Sequence, residues 1–194
     1  MYLDDALLYN QGYMISINDL DSPLFYLFDY DSRSFKINMS FQHFHQFHEI
    51  HILLSGRASH IIEGDYYTLQ PYDIVLLRPS LLHSTEYPAG GDCRRLIINF
   101  RVPDDSPVLH EMLQSCLQPF GAEVPIYRFT GETRAQAFSH LNAIFTLGKQ
   151  PMTPLTQQFI HCHFLQFLAT VAQHAGESSY EPQELSDSIT QKVY

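Results

Sequence analysis

The stretch that decides the fold spans residues 43–83 and reads HFHQFHEIHILLSGRASHIIEGDYYTLQPYDIVLLRPSLLH. It contains short runs of apolar and β-branched residues, separated by turn signals at Gly56, at residues 63–65 and at residues 70–73. Short strands that follow one another at spacings of about 8–12 residues are typical of a β-barrel or a β-sandwich. The stretch therefore predicts a mainly β fold built around an antiparallel barrel.

Beyond Arg101 the apolar residues follow a helical spacing instead. Residues 107–117 begin with a proline that suits the first turn of a helix, and residues 132–147 carry apolar side chains three or four positions apart. The longest helix is predicted over about residues 154–174, opened by Thr153 and Pro154 and closed by Gly176. The sequence thus predicts a barrel with a C-terminal helical extension.

The longest helix has two apolar stripes. One consists of Ile160, Phe164, Phe167 and Val171, and the other of Leu165, Leu168 and Ala172. A helix with two apolar stripes must bury both, and one barrel can cover only one of them. We therefore expect the first stripe to form the interface of a homodimer. The alternative is that both stripes pack within one subunit, against the helix of residues 132–147.

Composition excludes several classes of protein. The 194-residue chain has 11 basic and 21 acidic residues and a formal net charge of −10, without the clustered Lys and Arg that a DNA-binding surface needs. No run approaches the roughly 20 apolar residues of a membrane span, and the N-terminus, MYLDDALLYN, does not resemble a signal peptide. Three widely spaced cysteines, outside any CxxC motif, indicate a reducing compartment, so we expect a cytoplasmic protein.

Four residues carry the chemistry of the predicted barrel. His43, His45 and Glu49 share strand parity and can face one side of a sheet, and His83 arrives from another strand. Three imidazoles and a carboxylate are a plausible ligand set for Fe(II), Mn(II), Ni(II) or Zn(II). The other interpretation, which we prefer, is a metal-free polar cluster that binds water, neighbouring tyrosines or an effector. Three further histidines are expected to be strand residues without a ligand role: His48, His51 and His60.

The sequence around these four residues resembles known motifs. The segment from His43 to Glu49, with Gly56 following, resembles the first motif of the cupin superfamily, and residues 71–83 resemble the second. The wider frame, from about residue 20 to residue 194, is similar to the N-terminal effector domain of the AraC family of bacterial transcription regulators. The second motif usually has Gly where Tyr72 stands and Pro-Pro-Gly where residues 78–80 stand, which implies slightly different turns here.

The resemblance implies a division of the chain and a role for each part. Residues 1–20 would form an N-terminal arm that folds over the barrel mouth, 21–130 the cupin-like jelly-roll barrel, 131–175 a helical dimerisation region, and 176–194 a linker and the start of a DNA-binding domain whose helix-turn-helix units are absent. The barrel would bind a small polar metabolite, such as a sugar, without catalysis and without a cofactor.

The expected effector-binding residues are His43, His45, Glu49 and His83, together with Tyr66 and Arg78. The alternative function is a metal-dependent cupin enzyme, a dioxygenase or a sugar isomerase, in which His43, His45, Glu49 and His83 hold one transition metal ion. A third option is a dimerisation module that binds no ligand.

Overall fold

The computed structural model describes residues 12–33, 38, 41–103 and 107–182. The described strands are β1 (Tyr13–Ile17), β2 (Phe25–Arg33), β3 (His48–Ser55), β4 (Ala58–Ile62), β5 (Asp65–Leu69), β6 (Ile74–Leu77), β7 (His83–Glu86), β8 (Cys93–Arg101) and β9 (Ile126–Tyr127). The described α-helices are α1 (Pro107–Leu117), α2 (Gly131–Gly148) and α3 (Pro154–Gln173).

The strands form two antiparallel sheets. The larger sheet has the order β1-β2-β8-β3-β6-β9, and the smaller has the order β5-β4-β7. A bridge outside the named strands joins His43 to His83, so the segment before β3 lies beside the smaller sheet. The mainly β class with a C-terminal helical extension is confirmed.

The larger sheet is covered on both faces, and this fixes where its polar residues point. Ile50 and Ile52 of β3 belong to the core that the helices complete, while Glu49 and His51 face a cavity that also reaches Thr85 of the smaller sheet. Successive side chains of a strand point to opposite faces. The side chains of Ile50 and Ile52 therefore pack against the helices, and those of Glu49 and His51 face the barrel interior.

The predicted dimer stripe on α3 is instead the centre of the core within one chain. Ile160, Phe164 and Phe167 are 0% exposed and Val171 is 1% exposed. The Phe164 ring lies 4.7 Å from that of Phe100, which belongs to the helix-facing side of the large sheet. The assignment of these four residues to a dimer interface is therefore wrong, because the sheet's outer face offers an apolar surface that the sequence argument left out.

The predicted N-terminal arm contains a strand. Tyr13–Ile17 forms β1 and pairs with Tyr26–Tyr30 at the edge of the larger sheet, and the Tyr13 ring lies 4.5 Å from that of Phe145 on α2. This part of the arm is built into the sheet instead of folding over the barrel mouth. The rest of the arm before residue 12, and the predicted DNA-binding helix within residues 183–194, lie outside the described residues.

Two residues of the second motif adopt backbone conformations that favour glycine. Tyr72 has φ 77° and Ser80 has φ 64°. The turns expected to differ from the usual motif thus keep its left-handed backbone with non-glycine residues. At Tyr72 the strain is offset by packing, since its ring lies 5.4 Å from that of Phe138 on α2.

Among the described residues, no helix combines the length and the apolar character that a membrane crossing requires.

Candidate functional site

A polar cavity of about 320 Å³ lies between the two sheets. Its lining residues are Leu27, Asp29, Arg33, His43, Glu49, His51, Thr85, Tyr87, Arg95, Ile97 and Asn99. The volume is at the lower end of the roughly 300–1,000 Å³ of small-molecule sites. The cavity therefore suits a small metabolite.

The four residues singled out in the sequence lie close together, and two of them, His43 and Glu49, line one end of this cavity. The Nε2 atom of His45 lies 3.1 Å from one carboxylate oxygen of Glu49, and Nε2 of His83 lies 3.8 Å from the other. His43, His45 and His83 each offer one ring nitrogen, and these three atoms lie within 4.8 Å of one another. The predicted convergence is present, although His43 and His45 precede β3 and do not share a strand with Glu49.

The hydrogen bonds at this end satisfy His45 but leave one ring nitrogen of His83 unpaired. Nδ1 of His45 donates to the carbonyl of Phe47 and Nδ1 of His83 donates to that of Leu81. In the neutral imidazole of His83 the other nitrogen, Nε2, is then a lone-pair acceptor that faces the Glu49 carboxylate at 3.8 Å without a hydrogen bond. A proton or a metal cation among these atoms would satisfy them.

Burial governs the charge of these groups. Burial alone raises the pKa of Glu49, but the hydrogen bond from His45 and the nearby imidazoles outweigh it and lower that pKa, so the carboxylate is ionised at neutral pH. Burial lowers the pKa of His43 and of His83 despite the attraction of Glu49. Those two imidazoles are therefore uncharged lone-pair donors.

The other end of the cavity carries an ion pair. Nη2 of Arg95 lies 3.3 Å from Oδ2 of Asp29, and Arg95 is only 9% exposed. Arg33 reaches Asp31 at 3.2 Å and Asp29 at 3.7 Å. The arginines at this end therefore already have carboxylate partners.

Between the two ends, several buried atoms have no hydrogen-bond partner. His51 is 1% exposed and neither of its ring nitrogens is paired. The same is true of Oδ1 of Asn99, Nδ1 of His43 and Nε2 of His83. Burial and the charge of Arg95 hold the pKa of His51 to about 3, so its ring is neutral. Buried polar groups are nearly always hydrogen-bonded in proteins. A ligand in the cavity could therefore form hydrogen bonds with these atoms.

Four predicted effector-binding residues do not line the cavity: His45 and His83, which contact Glu49 behind it, and Tyr66 and Arg78. Tyr66 is 46% exposed, because it alternates on β5 with Tyr67, which stands opposite the buried His60. The Arg78 side chain is 48% exposed and lies 3.9 Å from Glu63. This cavity therefore gives no support to Tyr66 and Arg78 as ligand-binding residues.

The Asp29–Arg95 ion pair and His51 were not expected from the sequence as cavity residues. Arg95 and Asn99 alternate with the apolar residues of β8, which is the pattern of a strand with one solvated face. In the fold, the helices cover the apolar face of β8, so its polar face lies toward the cavity between the two sheets. The sequence does contain one signal for His51. It is two residues from Glu49 on the same strand and therefore points to the same face.

Comparisons with known proteins agree with this architecture. The family model described as the AraC-like ligand-binding domain matches residues 36–145. An apo ToxT variant from Vibrio cholerae has a similar structure, with a TM-score of 0.51 and 14% sequence identity over 82% of this chain and 60% of that chain. No curated protein matches the sequence.

Cupin proteins are also similar in part. One from Bacteroides fragilis has a TM-score of 0.40 and 20% identity, over 50% of this chain and 82% of its own. A cupin-2 domain protein from Shewanella frigidimarina has a TM-score of 0.36 and 20% identity, over 50% of this chain and 90% of its own. The predicted barrel is confirmed by the two antiparallel sheets and by the match to the AraC-like ligand-binding domain.

Proposed function

Because the chain belongs to the AraC-like ligand-binding domain family, we propose that it is the effector-sensing and dimerisation domain of a bacterial transcription regulator that acts in the cytoplasm. The effector is a small polar metabolite, with a sugar as the example that the sequence resemblance suggests. DNA is contacted through helix-turn-helix units that follow this domain.

The observation that carries this proposal is the cavity with its unpaired polar atoms. A domain that only dimerised would fill its barrel with apolar side chains, since a buried polar group without a partner costs about 1–3 kcal/mol. Here His51 and Asn99 leave such atoms inside the barrel. A ligand that binds one conformation better than another shifts their populations, and this requires no catalysis.

A thermal-shift screen against polar metabolites tests the proposal. A ligand at a hundredfold excess over its Kd stabilises the protein by about 2.7 kcal/mol, which raises the Tm by about 5–10 °C in a chain of this size. Failure of every compound in a broad panel to raise the Tm would contradict effector binding.

A second candidate function, a metal-dependent cupin enzyme, is favoured by the convergence of His43, His45 and His83. These three imidazoles with Glu49 would hold one transition metal ion, and the unpaired Nδ1 of His43 and Nε2 of His83 fit such an ion. When bound, the metal would supply Lewis-acid chemistry to a ligand in the cavity.

Elemental analysis of protein purified without a His tag separates the two candidates. The effector-sensing proposal predicts less than a tenth of an equivalent of Fe, Mn, Ni or Zn per chain, and no gain on dialysis against each metal. One bound equivalent that is lost in His45→Ala, and retained in the control His140→Ala on α2, would establish the metal site and support the enzyme.

Dimerisation is proposed through the exposed side of α3 and the loop before it. Leu155 is 65% exposed, Phe159 is 50% exposed and Met152 is 37% exposed, and the exposed Cys162 continues the same stripe. Side chains three or four positions apart share one helix face. A second copy of the chain that packs on this face would bury them.

We expect Phe159→Glu to convert the dimer to a monomer in sedimentation equilibrium, because the substitution places a charge in an apolar interface. The matched variant Gln158→Glu adds the same charge at an exposed neighbouring position and should leave the mass of the dimer unchanged. An equal mass for wild type and Phe159→Glu would contradict this interface.

A further inference from the structure

We propose that the middle of the cavity is a subsite for uncharged groups that both donate and accept hydrogen bonds, hydroxyls above all, formed by His51, Asn99 and the Asp29–Arg95 pair. This inference rests on the proposed function, because it names the chemical class of the effector. It is independent of whether the cluster around Glu49 holds a metal.

His51 is the anchor of this subsite. It comes from β3, where it stands opposite Ile97 of β8, and Ile97 in turn stands opposite Asp29 of β2. Its ring is fully buried, lines the cavity and has two unpaired nitrogens. A neutral imidazole offers one donor and one acceptor, and a hydroxyl group matches both.

Asn99 and the ion pair extend the same chemistry. Asn99 stands opposite Glu49 on β3 and Leu27 on β2, and its Oδ1 is buried without a donor. Arg95 meets Asp29 through a single contact at 3.3 Å. A guanidinium has five N–H donors and a carboxylate has about four lone-pair sites, so both partners keep capacity for a ligand.

The charges that line the cavity balance one another and give no net attraction to an anionic effector. Two guanidiniums, Arg33 and Arg95, and two carboxylates, Asp29 and Glu49, line it, and Arg33 also pairs with Asp31 outside the lining. Each guanidinium lies within 3.3 Å of one of these carboxylates. A ligand carboxylate would have to enter beside them in a region of low dielectric constant, where repulsion between like charges is strong.

The test uses matched compounds that differ in charge alone. Pentoses and hexoses, the corresponding aldonates and the corresponding amino sugars are each titrated into the protein, with the Tm and calorimetric heat as readouts. We expect at least one uncharged compound to bind, and its aldonate to bind at least tenfold more weakly.

Variants at His51 then locate the contact. His51→Leu removes the donor and the acceptor at similar volume, and we expect about a tenfold rise in Kd for the uncharged compound. His51→Gln restores a donor and an acceptor and should recover most of the affinity. Tyr66→Ala, on the outer face, is the control that leaves the Kd unchanged.

The ligand-free protein provides a readout that needs no effector. Since both ring nitrogens of His51 are unpaired, His51→Leu should raise the Tm of the ligand-free protein by about 2–6 °C. A fall in the Tm would show that the ring is satisfied inside the fold and would overturn the subsite.

The outcomes separate this inference from the proposed function. Preferential binding of aldonates, or equal Kd values for wild type and His51→Leu, would overturn the subsite and leave effector sensing intact. Failure of all three series to bind would overturn the subsite, whereas effector sensing would be contradicted only by failure of the broad metabolite panel.

Discussion

Lowering the pH from 7.5 to 5 is expected to reduce the Tm of this protein by about 10–25 °C. The cause is a group of buried histidines that are neutral in the folded chain. Burial, with the nearby His45, lowers the pKa of His48 to about 4, burial and Arg95 lower that of His51 to about 3, and burial lowers that of His60 well below its usual value.

The sign follows from proton linkage. An unfolded histidine binds a proton with a pKa near 6.5, so below pH 6.5 the unfolded chain takes up protons that the folded chain excludes. The stability is therefore fully present above pH 6.5 and is lost as the pH falls toward the folded values. Each of the three groups costs about 2 kcal/mol at pH 5, or about 6 kcal/mol together, against a total stability of about 5–15 kcal/mol for a typical domain.

Glu49 acts in the same direction but at lower pH. Its folded pKa is lowered, so its contribution is present above its unfolded value and is lost only below it. The pH 5–6.5 window thus reports the histidines. Thermal melts across this range check the prediction, and a Tm that is flat from pH 7.5 to pH 5 would contradict the neutral, buried state of these rings.

Variants assign the acid transition to the barrel. His60→Leu removes one buried imidazole and should make the Tm less sensitive to pH between 6.5 and 5. The control Tyr66→Phe, at an exposed position of β5, removes no histidine and should leave the pH dependence unchanged.

Phe164→Ala is expected to destabilise the domain by about 3–5 kcal/mol, with a fall in the Tm of about 10–15 °C. The ring is fully buried between α3 and the large sheet, 4.7 Å from Phe100, 5.0 Å from Tyr26 and 6.0 Å from Phe28. Its removal leaves a cavity that the sheet cannot close.

The matched control lies on the same helix. Phe159 is 50% exposed, so Phe159→Ala should cost less than about 1 kcal/mol in a monomer. Chemical denaturation at low protein concentration measures both variants. Equal stabilities for the two would contradict the assignment of Phe164 to the core and of Phe159 to the surface.

The elements of this fold follow closely from local sequence patterns. The turn signals at Gly56, at residues 63–65 and at residues 70–73 fall where β3, β4 and β5 end. The N-cap Thr153 with Pro154 located the start of α3, where the Thr153 side chain accepts a hydrogen bond from the amide of Thr156. The packing partner of each face did not follow. Phe164 and its stripe look the same in sequence whether a sheet or a second subunit covers them.

The site was predictable where residues converge by motif and not where they converge by sheet geometry. His43, His45, Glu49 and His83 were identified because two motifs bring them together. Arg95 and Asn99 were not, because polar residues that alternate with apolar ones usually face solvent. Their role depends on a second layer, the helices, which takes the apolar face and leaves the polar face to the cavity.

The most direct test of the central claim is calorimetric titration of a stabilising metabolite into wild type and Ile97→Phe. Ile97 lines the cavity between His51 and Asp29, and the larger side chain fills space without removing a hydrogen-bonding group. An effector in the barrel predicts at least a tenfold rise in Kd for Ile97→Phe and no change for Tyr66→Ala. An unchanged Kd in Ile97→Phe would place the ligand elsewhere and contradict the account.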